Sequence, residues 1–238
     1  MNSNHESKTI INYFDQAPLA TEFQRIFLKL ENLNPAREAK TLLITSSVKE
    51  EGKSTIASFF AIAMSQFGNR PTILIDADLR KPTIDKLFNL NCCPGLAELL
   101  EKRANLLENI RSTVLTNLKI ITGGMQTTDG ADGIFEDQSL RDLLNQLRTT
   151  FTFIIIDSAP VMVLPDALNL SRLVDGVVLV VKAGATPKEV VKRASETIKD
   201  SGGNLLGVIL NDVERALPDY YSYKYKYYKY KYAYEKKK

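Results

Sequence analysis

A short loop ending in Gly-Lys-Ser is the first feature of the sequence that could do chemistry. Residues 45–55 read TSSVKEEGKST and follow an apolar run. Backbone N–H groups and a helix start can hold phosphates there, Lys53 can neutralise the β and γ phosphates, and Ser54 can bind Mg²⁺. The pattern predicts a site for ATP and Mg²⁺, a P-loop, formed by Ser47, Val48, Lys49, Glu50, Glu51, Gly52, Lys53, Ser54 and Thr55.

The loop departs from the full P-loop pattern in two ways. Ser47 stands where the pattern has glycine, so a chance GKS sequence in a nucleotide-free domain is the alternative interpretation. Glu50 and Glu51 add two carboxylates, which would repel phosphate if they faced it. We therefore expect both glutamates to point outward.

Acidic residues end two further apolar runs. Asp76 and Asp78 follow ILI, and Asp157 follows FIII. In a parallel sheet the carboxyl ends of the strands open on one crevice, so these acids should meet Lys53 and Ser54. We expect Asp157 to hold Mg²⁺ with Ser54, and one of Asp76 and Asp78 to orient or deprotonate an incoming hydroxyl while the other supports the metal. Asp76 is the favoured base, which leaves Asp78 to the metal.

Three other polar residues near strand ends have open roles. Arg80 and Lys81 could bind phosphate or a neighbouring subunit, or form only a basic surface loop. Asn211 follows the last apolar run, where its amide could contact an adenine edge, although asparagine is also a common turn residue.

Apolar runs alternate with helical patterns along the chain. The runs are continuous rather than alternating, which is typical of strands in a parallel sheet covered on both faces. This predicts a doubly wound α/β fold with a mostly parallel sheet. Strands are expected at 41–46, 72–76, 118–122, 151–157, 176–183 and 205–210, and helices at about 53–67, 137–149, 166–173 and 187–200.

The segments around this domain differ from it. We expect a flexible N terminus at 1–16, an amphipathic helix at 17–36, the ATP-binding domain at 37–217 and a tail at 218–238. The helix stripe either packs on its own sheet or joins subunits. The apolar residues of that stripe are Leu19, Phe23, Ile26, Phe27, Leu30 and Leu33.

Composition narrows the class of protein. No run approaches the eighteen apolar residues that a membrane span requires, and the N terminus lacks the layout of a signal peptide, so we expect a cytoplasmic domain. Cys92 and Cys93 are adjacent, which suits neither a disulfide framework nor a spaced metal site, and we expect buried thiols.

The tail holds nine of the ten tyrosines of the chain, interleaved with lysines. It carries a charge of +5 against −2 for the rest, and without Leu, Ile, Val or Phe from 220 to 234 it should be disordered when alone. About three phosphates would cancel its charge. These nine tyrosines are Tyr220, Tyr221, Tyr223, Tyr225, Tyr227, Tyr228, Tyr230, Tyr232 and Tyr234.

Taken together, these motifs resemble those of the BY-kinases, the bacterial tyrosine kinases of capsule and exopolysaccharide systems within the Min/Par-like P-loop ATPases. The resemblance covers about residues 17–238 and rests on EGKST (51–55), DADLRKP (76–82), IIIDSAP (154–160) with Asp166, VDGVVLVV (174–181) and the tyrosine cluster.

The resemblance implies autophosphorylation of the tail between subunits of a homo-oligomeric ring, with the nine tail tyrosines as the expected acceptors. It also implies activation by a membrane-embedded partner of the chain-length-regulator type, which would recruit the chain to the inner face of the membrane, and reversal by a tyrosine phosphatase. In the family's ExxRxxR oligomerisation motif, Glu22 and Arg25 match and Leu28 takes the third position. The family's PGEGK loop reads KEEGK here, so Glu50 stands at a glycine position.

Two other functions fit part of the pattern. A Min/Par-like positioning ATPase would share the acidic strand ends, but it usually has a signature lysine where Val48 stands and has no use for nine tyrosines. In a non-catalytic relative of these enzymes, Glu50 could stand at the glycine position because tight ATP binding is no longer required. No nucleic-acid partner is expected.

Overall fold

The computed structural model describes residues 10–15, 17–31, 40–125, 135 and 138–213. Its strands are β1 (Lys40–Ser46), β2 (Thr72–Ala77), β3 (Arg111–Ser112), β4 (Leu118–Ile121), β5 (Phe153–Ser158), β6 (Gly176–Lys182) and β7 (Leu205–Asn211). Its helices are α1 (Ile10–Phe14), α2 (Ala17–Glu31), α3 (Lys53–Phe67), α4 (Ile84–Phe88), α5 (Leu96–Leu100), α6 (Leu106–Asn109), α7 (Gln138–Arg148), α8 (Asp166–Ser171) and α9 (Lys188–Asp200).

The seven strands form one sheet in the order β3-β4-β2-β5-β1-β6-β7. Every neighbouring pair is parallel except β3 with β4. The three central strands are buried on both faces, which explains their uninterrupted apolar sequence. The doubly wound, mostly parallel α/β fold is therefore confirmed, with each expected strand and helix of the domain present to within two residues.

Alternate residues of each strand enter different cores. In β1, Ile44 packs into the cluster under α1, α2 and α3, whereas its neighbour Leu43 packs into the cluster under α5, α7, α8 and α9. This alternation follows from the two-residue period of a strand. Because apolar side chains fill both faces of the central strands, the charged side chains of these strands lie at the strand ends, where the site is.

Helix α2 packs on its own domain. Phe23 makes edge contacts with the rings of Phe59 and Phe60 on α3, and Phe27 contacts Phe153 on β5. The buried residues of the apolar stripe, Phe23, Phe27 and Leu30, therefore pack within the chain, and Leu33 lies outside the described residues. Leu28 is 54% exposed on the outward face.

Two expectations were wrong. Residues 10–14 were placed in a flexible N terminus, but they form α1, because the ring of Phe14 is fully buried against Phe23 and Phe59. The cysteines were expected to be buried, but Cys92 is exposed and Cys93 is half-buried, because they lie in a loop before α5 rather than in a strand or helix.

The tail at 218–238 lies outside the described residues, as do 1–9 and 32–39. Within the described ranges, no helix combines the length and apolarity needed to span a bilayer.

Candidate active site

The P-loop connects β1 to α3 through two backbone positions in the left-handed region. Glu50 has φ of 65° and Gly52 has φ of 88°. Gly52 also has no room for a side chain, since a Cβ there would lie 2.2 Å from Nδ2 of Asn211. Glu50 therefore occupies a conformation that favours glycine, and its side chain is exposed, as expected.

Glu51 does not point outward, which corrects the sequence-based expectation. It is only 2% exposed, and its carboxylate accepts the Val48 N–H at 2.8 Å, the Lys182 N–H at 3.2 Å and the Thr186 hydroxyl at 2.5 Å. Three donors offset the cost of burying a carboxylate. Glu51 thus ties the P-loop to the connection between β6 and α9.

Asn211 also supports the loop. Its Nδ2 donates to the Glu51 carbonyl at 3.0 Å, from the last position of β7. This bond uses one N–H of the Asn211 amide, which leaves its second N–H and its Oδ1 available for a contact with an adenine edge. Sequence reasoning gave no signal for this supporting role.

The predicted acids and Lys53 meet at the carboxyl edge of the sheet. Asp76 on β2 and Asp157 on β5 are direct neighbours in register. Lys53 Nζ lies 2.7 Å from Asp78 Oδ2, 3.7 Å from Asp157 Oδ1 and 3.2 Å from Ser54 Oγ. The structure therefore brings Lys53, Ser54 and the three aspartates to one edge of the sheet.

Asp76 is fully buried and organises the loop after β2. Its Oδ2 accepts the N–H groups of Thr83 and Ile84, at 2.9 and 3.0 Å, and its Oδ1 accepts the Asp78 N–H at 3.2 Å. Oδ2 already accepts two hydrogen bonds, whereas Oδ1 accepts a single long one and can accept another.

The charges in the site shift one another's protonation. Burial raises the pKa of Asp76 to about 8, with a further rise from Asp157. Burial likewise raises the pKa of Asp157, to about 6, against the nearby charge of Lys53. Burial alone would lower the pKa of Lys53, but the carboxylates, led by Asp157 and Asp78, raise it above its usual value.

The residues present fit Mg²⁺ and a nucleotide. Both buried oxygens of Asp157 and the Ser47 hydroxyl lack a hydrogen-bond partner among the described residues. The same part of the chain contains no cluster of three or more His, Cys, Asp or Glu placed as a metal cage. Asp157 and the nearby Ser54 hydroxyl suit Mg²⁺, which in nucleotide sites takes one or two carboxylates and completes its shell with water and phosphate oxygens.

The remaining predicted residues are placed as follows. Ser47 is buried, Val48 and Thr55 are half-buried, and Lys49 is exposed. Glu22 and Arg25 form an exposed ion pair at 3.2 Å on α2, away from its buried stripe. The nine tail tyrosines lie outside the described residues.

The fold and the site together define the chain as a P-loop α/β protein, because a lysine, a hydroxyl group and three carboxylates meet at one edge of its parallel sheet. No family model matches the chain. It is 31% identical to the tyrosine-protein kinase CpsD of Streptococcus agalactiae over 79% of this chain and 81% of that one. It is also 30% identical to the tyrosine-protein kinase YwqD of Bacillus subtilis, over 85% and 84%. The chain belongs to the bacterial tyrosine-protein kinases.

A solved structure supports this placement. The chimerical protein CapA2B2 superposes with a TM-score of 0.79 at 32% identity, covering 86% of this chain and 89% of that one.

Proposed function

We propose that the chain is an ATP- and Mg²⁺-dependent tyrosine autokinase that phosphorylates the tyrosine cluster of its own tail. The observation that carries the proposal is the position of Lys53, whose ammonium group lies between Asp78 and Asp157 beside Ser54. Phosphoryl transfer depends mainly on positioning and on neutralising charge, and these groups can do both.

Each side chain has a role in this proposal. Ser54 and Asp157, with Asp78 in support, would hold Mg²⁺, which when bound neutralises charge on the phosphates. Lys53 exchanges its contact with Asp78 for phosphate oxygens. The P-loop N–H groups and the start of α3 would hold the phosphates, and the side-chain amide of Asn211 would contact the adenine edge.

Asp76 is the proposed base. A tyrosine hydroxyl has a pKa of about 10, so the ionised form of a carboxylate of raised pKa accepts its proton more readily than an ordinary aspartate does. Because the pKa of Asp76 is about 8, this ionised form grows as the pH rises toward that value. Oδ1 of Asp76, with one long hydrogen bond, is the atom that receives the proton.

The tail of one subunit is the substrate of another. A tail charge of +5 is attracted to a crevice containing Asp76, Asp78 and Asp157, and after about three phosphates the attraction is lost. The exposed face of α2, with Glu22, Arg25 and Leu28, supplies a surface through which subunits could contact one another. The family resemblance implies that the resulting homo-oligomer is a ring. Phosphorylation would loosen that assembly.

The resemblance also supplies the proposed setting. In it, the chain regulates synthesis and export of a capsular or extracellular polysaccharide. A membrane-embedded activator of the chain-length-regulator type recruits it to the inner face of the membrane, and a tyrosine phosphatase reverses its modification.

The test is to incubate the purified chain with Mg-ATP, with and without such an activator's cytoplasmic segment, and to map phosphotyrosine by mass spectrometry. Phosphate on residues 220–234 supports the kinase. ADP release without phosphotyrosine would instead favour a positioning ATPase, and absence of both in the presence of the activator segment would favour a non-catalytic nucleotide-binding relative.

A further inference from the structure

The two cysteines form a pair of thiols in contact. The sulfur atoms of Cys92 and Cys93 lie 3.2 Å apart, with Cys92 exposed and Cys93 half-buried. They are the only cysteines in the chain, so any thiol chemistry of the protein takes place here.

The pair has a defined order of reactivity. Burial, together with the hydrogen bond to Cys92, raises the pKa of Cys93 to about 11, so Cys93 holds its proton more firmly than an ordinary thiol does. Cys92 is also the more exposed thiol. An exposed thiolate beside a second thiol is the usual arrangement of a redox-sensitive cysteine with a resolving partner.

The loop that carries the pair is fastened to the strands beside the active site. The Thr122 hydroxyl, just past β4, donates to the Cys92 carbonyl at 2.7 Å. Arg111 on β3 donates to the carbonyls of Cys93 and Pro94, each at 3.0 Å. A movement of the cysteines is therefore passed to the end of β4.

The end of β4 touches the loop that Asp76 organises. A Cβ placed on Gly123 would lie 2.7 Å from the Pro82 side chain and 3.7 Å from the Asp76 carboxyl carbon. Gly124 is equally confined, since a Cβ placed on it would lie 2.2 Å from Oε2 of Glu98, whose carboxylate accepts the Gly95 and Met125 N–H groups. The segment 122–124 thus lies between the thiol pair and the proposed base, with little free space to absorb a shift.

We propose that Cys92 and Cys93 are a peroxide-sensitive redox site, which closes to a disulfide between adjacent residues and, through Thr122 and Gly123, displaces the loop around Asp76. The Cys92 thiolate attacks hydrogen peroxide; an S–O bond forms, the O–O bond breaks and one water leaves. The Cys93 sulfur then attacks the sulfenic sulfur, an S–S bond forms, the S–O bond breaks and a second water leaves. The two thiols lose two electrons and two protons, and one peroxide becomes two waters.

The disulfide is readily reversed. Adjacent Cα atoms are about 3.8 Å apart, closer than the usual separation of about 4.4–6.8 Å in disulfides. Such a strained, exposed disulfide has a more oxidising potential and is readily reduced by cellular dithiols. The site would therefore respond to oxidant and recover when the oxidant is removed.

The primary test does not depend on kinase activity. The full chain is treated with hydrogen peroxide at one to five equivalents, then analysed for free thiols and intact mass under denaturing conditions. We expect a monomer that has lost both thiols and two hydrogens, restored by dithiothreitol. A disulfide-linked dimer, a sulfinic acid on either cysteine, or two thiols that stay free would overturn the proposal.

The second measurement tests the link to Asp76 and rests on the proposed kinase. Phosphotyrosine formation by the oxidised chain is compared with that of the Cys92→Ser/Cys93→Ser chain given the same peroxide. We expect a fall of at least threefold in the wild type, reversed by dithiothreitol, and no change in the cysteine-free variant. Equal rates before and after oxidation would show that the disulfide does not reach Asp76; an equal loss in both chains would assign the effect to methionine oxidation.

Discussion

The Thr186 hydroxyl donates to Oε1 of Glu51 at 2.5 Å, joining the P-loop to the connection between β6 and α9. Glu51 is buried and also accepts the Val48 N–H with its other oxygen, so a single carboxylate fixes the middle of the loop. The loop's shape thus depends on a residue 135 positions away in the chain.

Removing the Thr186 hydroxyl should loosen the P-loop. In Thr186→Val the Glu51 carboxylate keeps only backbone donors, and losing a hydrogen bond to a buried charge costs about 1–3 kcal/mol of stability. We expect weaker binding of Mg-ATP, by threefold or more, measured by calorimetry. Thr186→Ser, which keeps the hydroxyl, is the matched control and should bind as the wild type does; wild-type affinity in Thr186→Val would show that the contact does not shape the loop.

Glu50→Gly should make the P-loop bind ATP more tightly. A non-glycine residue in the left-handed region costs about 1–2 kcal/mol, and Glu50 adds a negative charge near the phosphates. We expect tighter ATP binding and a higher free energy of unfolding, the latter by up to about 1 kcal/mol. Glu50→Ala separates the two causes, because it removes the charge and keeps the backbone strain. Weaker ATP binding in Glu50→Gly would reveal a favourable role for the carboxylate.

Ionisation of the buried Asp76 should lower the free energy of unfolding as the pH rises toward neutrality and above. Its pKa is raised on folding, from about 4 to about 8, so the folded state holds the proton more tightly than the unfolded chain. The free energy of unfolding therefore falls as pH rises through this window, by up to about 1.4 kcal/mol per pH unit. Between pH 6 and 8, above the pKa of Asp157, the fall should be due mainly to Asp76.

Asp76→Asn tests this assignment with two measurements. Chemical denaturation at pH 6, 7 and 8 should show a flatter dependence on pH than in the wild type. Phosphotyrosine formation should fall by on the order of a hundredfold or more, because the proton acceptor is lost. A pH dependence unchanged from wild type would contradict the raised pKa, and retained activity would transfer the role of base to Asp78.

The sequence predicted those parts of the site that depend on strand order alone. Asp76, Asp78 and Asp157 each follow an apolar run, and the common edge of a parallel sheet then brings them to Lys53. The same rule predicted the fold, because uninterrupted apolar strands require helices on both faces.

Contacts between distant loops could not be predicted in this way. Glu51 looked like a solvent-facing acid because nothing in the local pattern indicates the Thr186 hydroxyl or the Lys182 N–H. Residues 10–14 looked flexible because one short apolar segment has no periodicity to test. Its buried face, formed by Ile10, Ile11 and Phe14, depends on contacts with distant residues such as Phe23.

Lys53→Met should abolish tail phosphorylation without unfolding the chain. Lys53 neutralises negative charge that develops on the phosphate oxygens during phosphoryl transfer, and losing one such contact lowers the rate by about a hundredfold or more. Since the substitution removes the partner of two carboxylates, circular dichroism and thermal unfolding must accompany the assay. Near-normal phosphotyrosine in a folded Lys53→Met chain would contradict the P-loop assignment.

The most direct measurement mixes two chains, neither of which can phosphorylate its own tail. One carries Lys53→Met with an intact tail; the other has an intact P-loop and its nine tail tyrosines changed to Phe. With Mg-ATP, the account predicts phosphotyrosine on the Lys53→Met chain at residues 220–234, detected by mass spectrometry. Absence of phosphotyrosine on that chain, under conditions in which the wild type is modified, would contradict transfer between subunits.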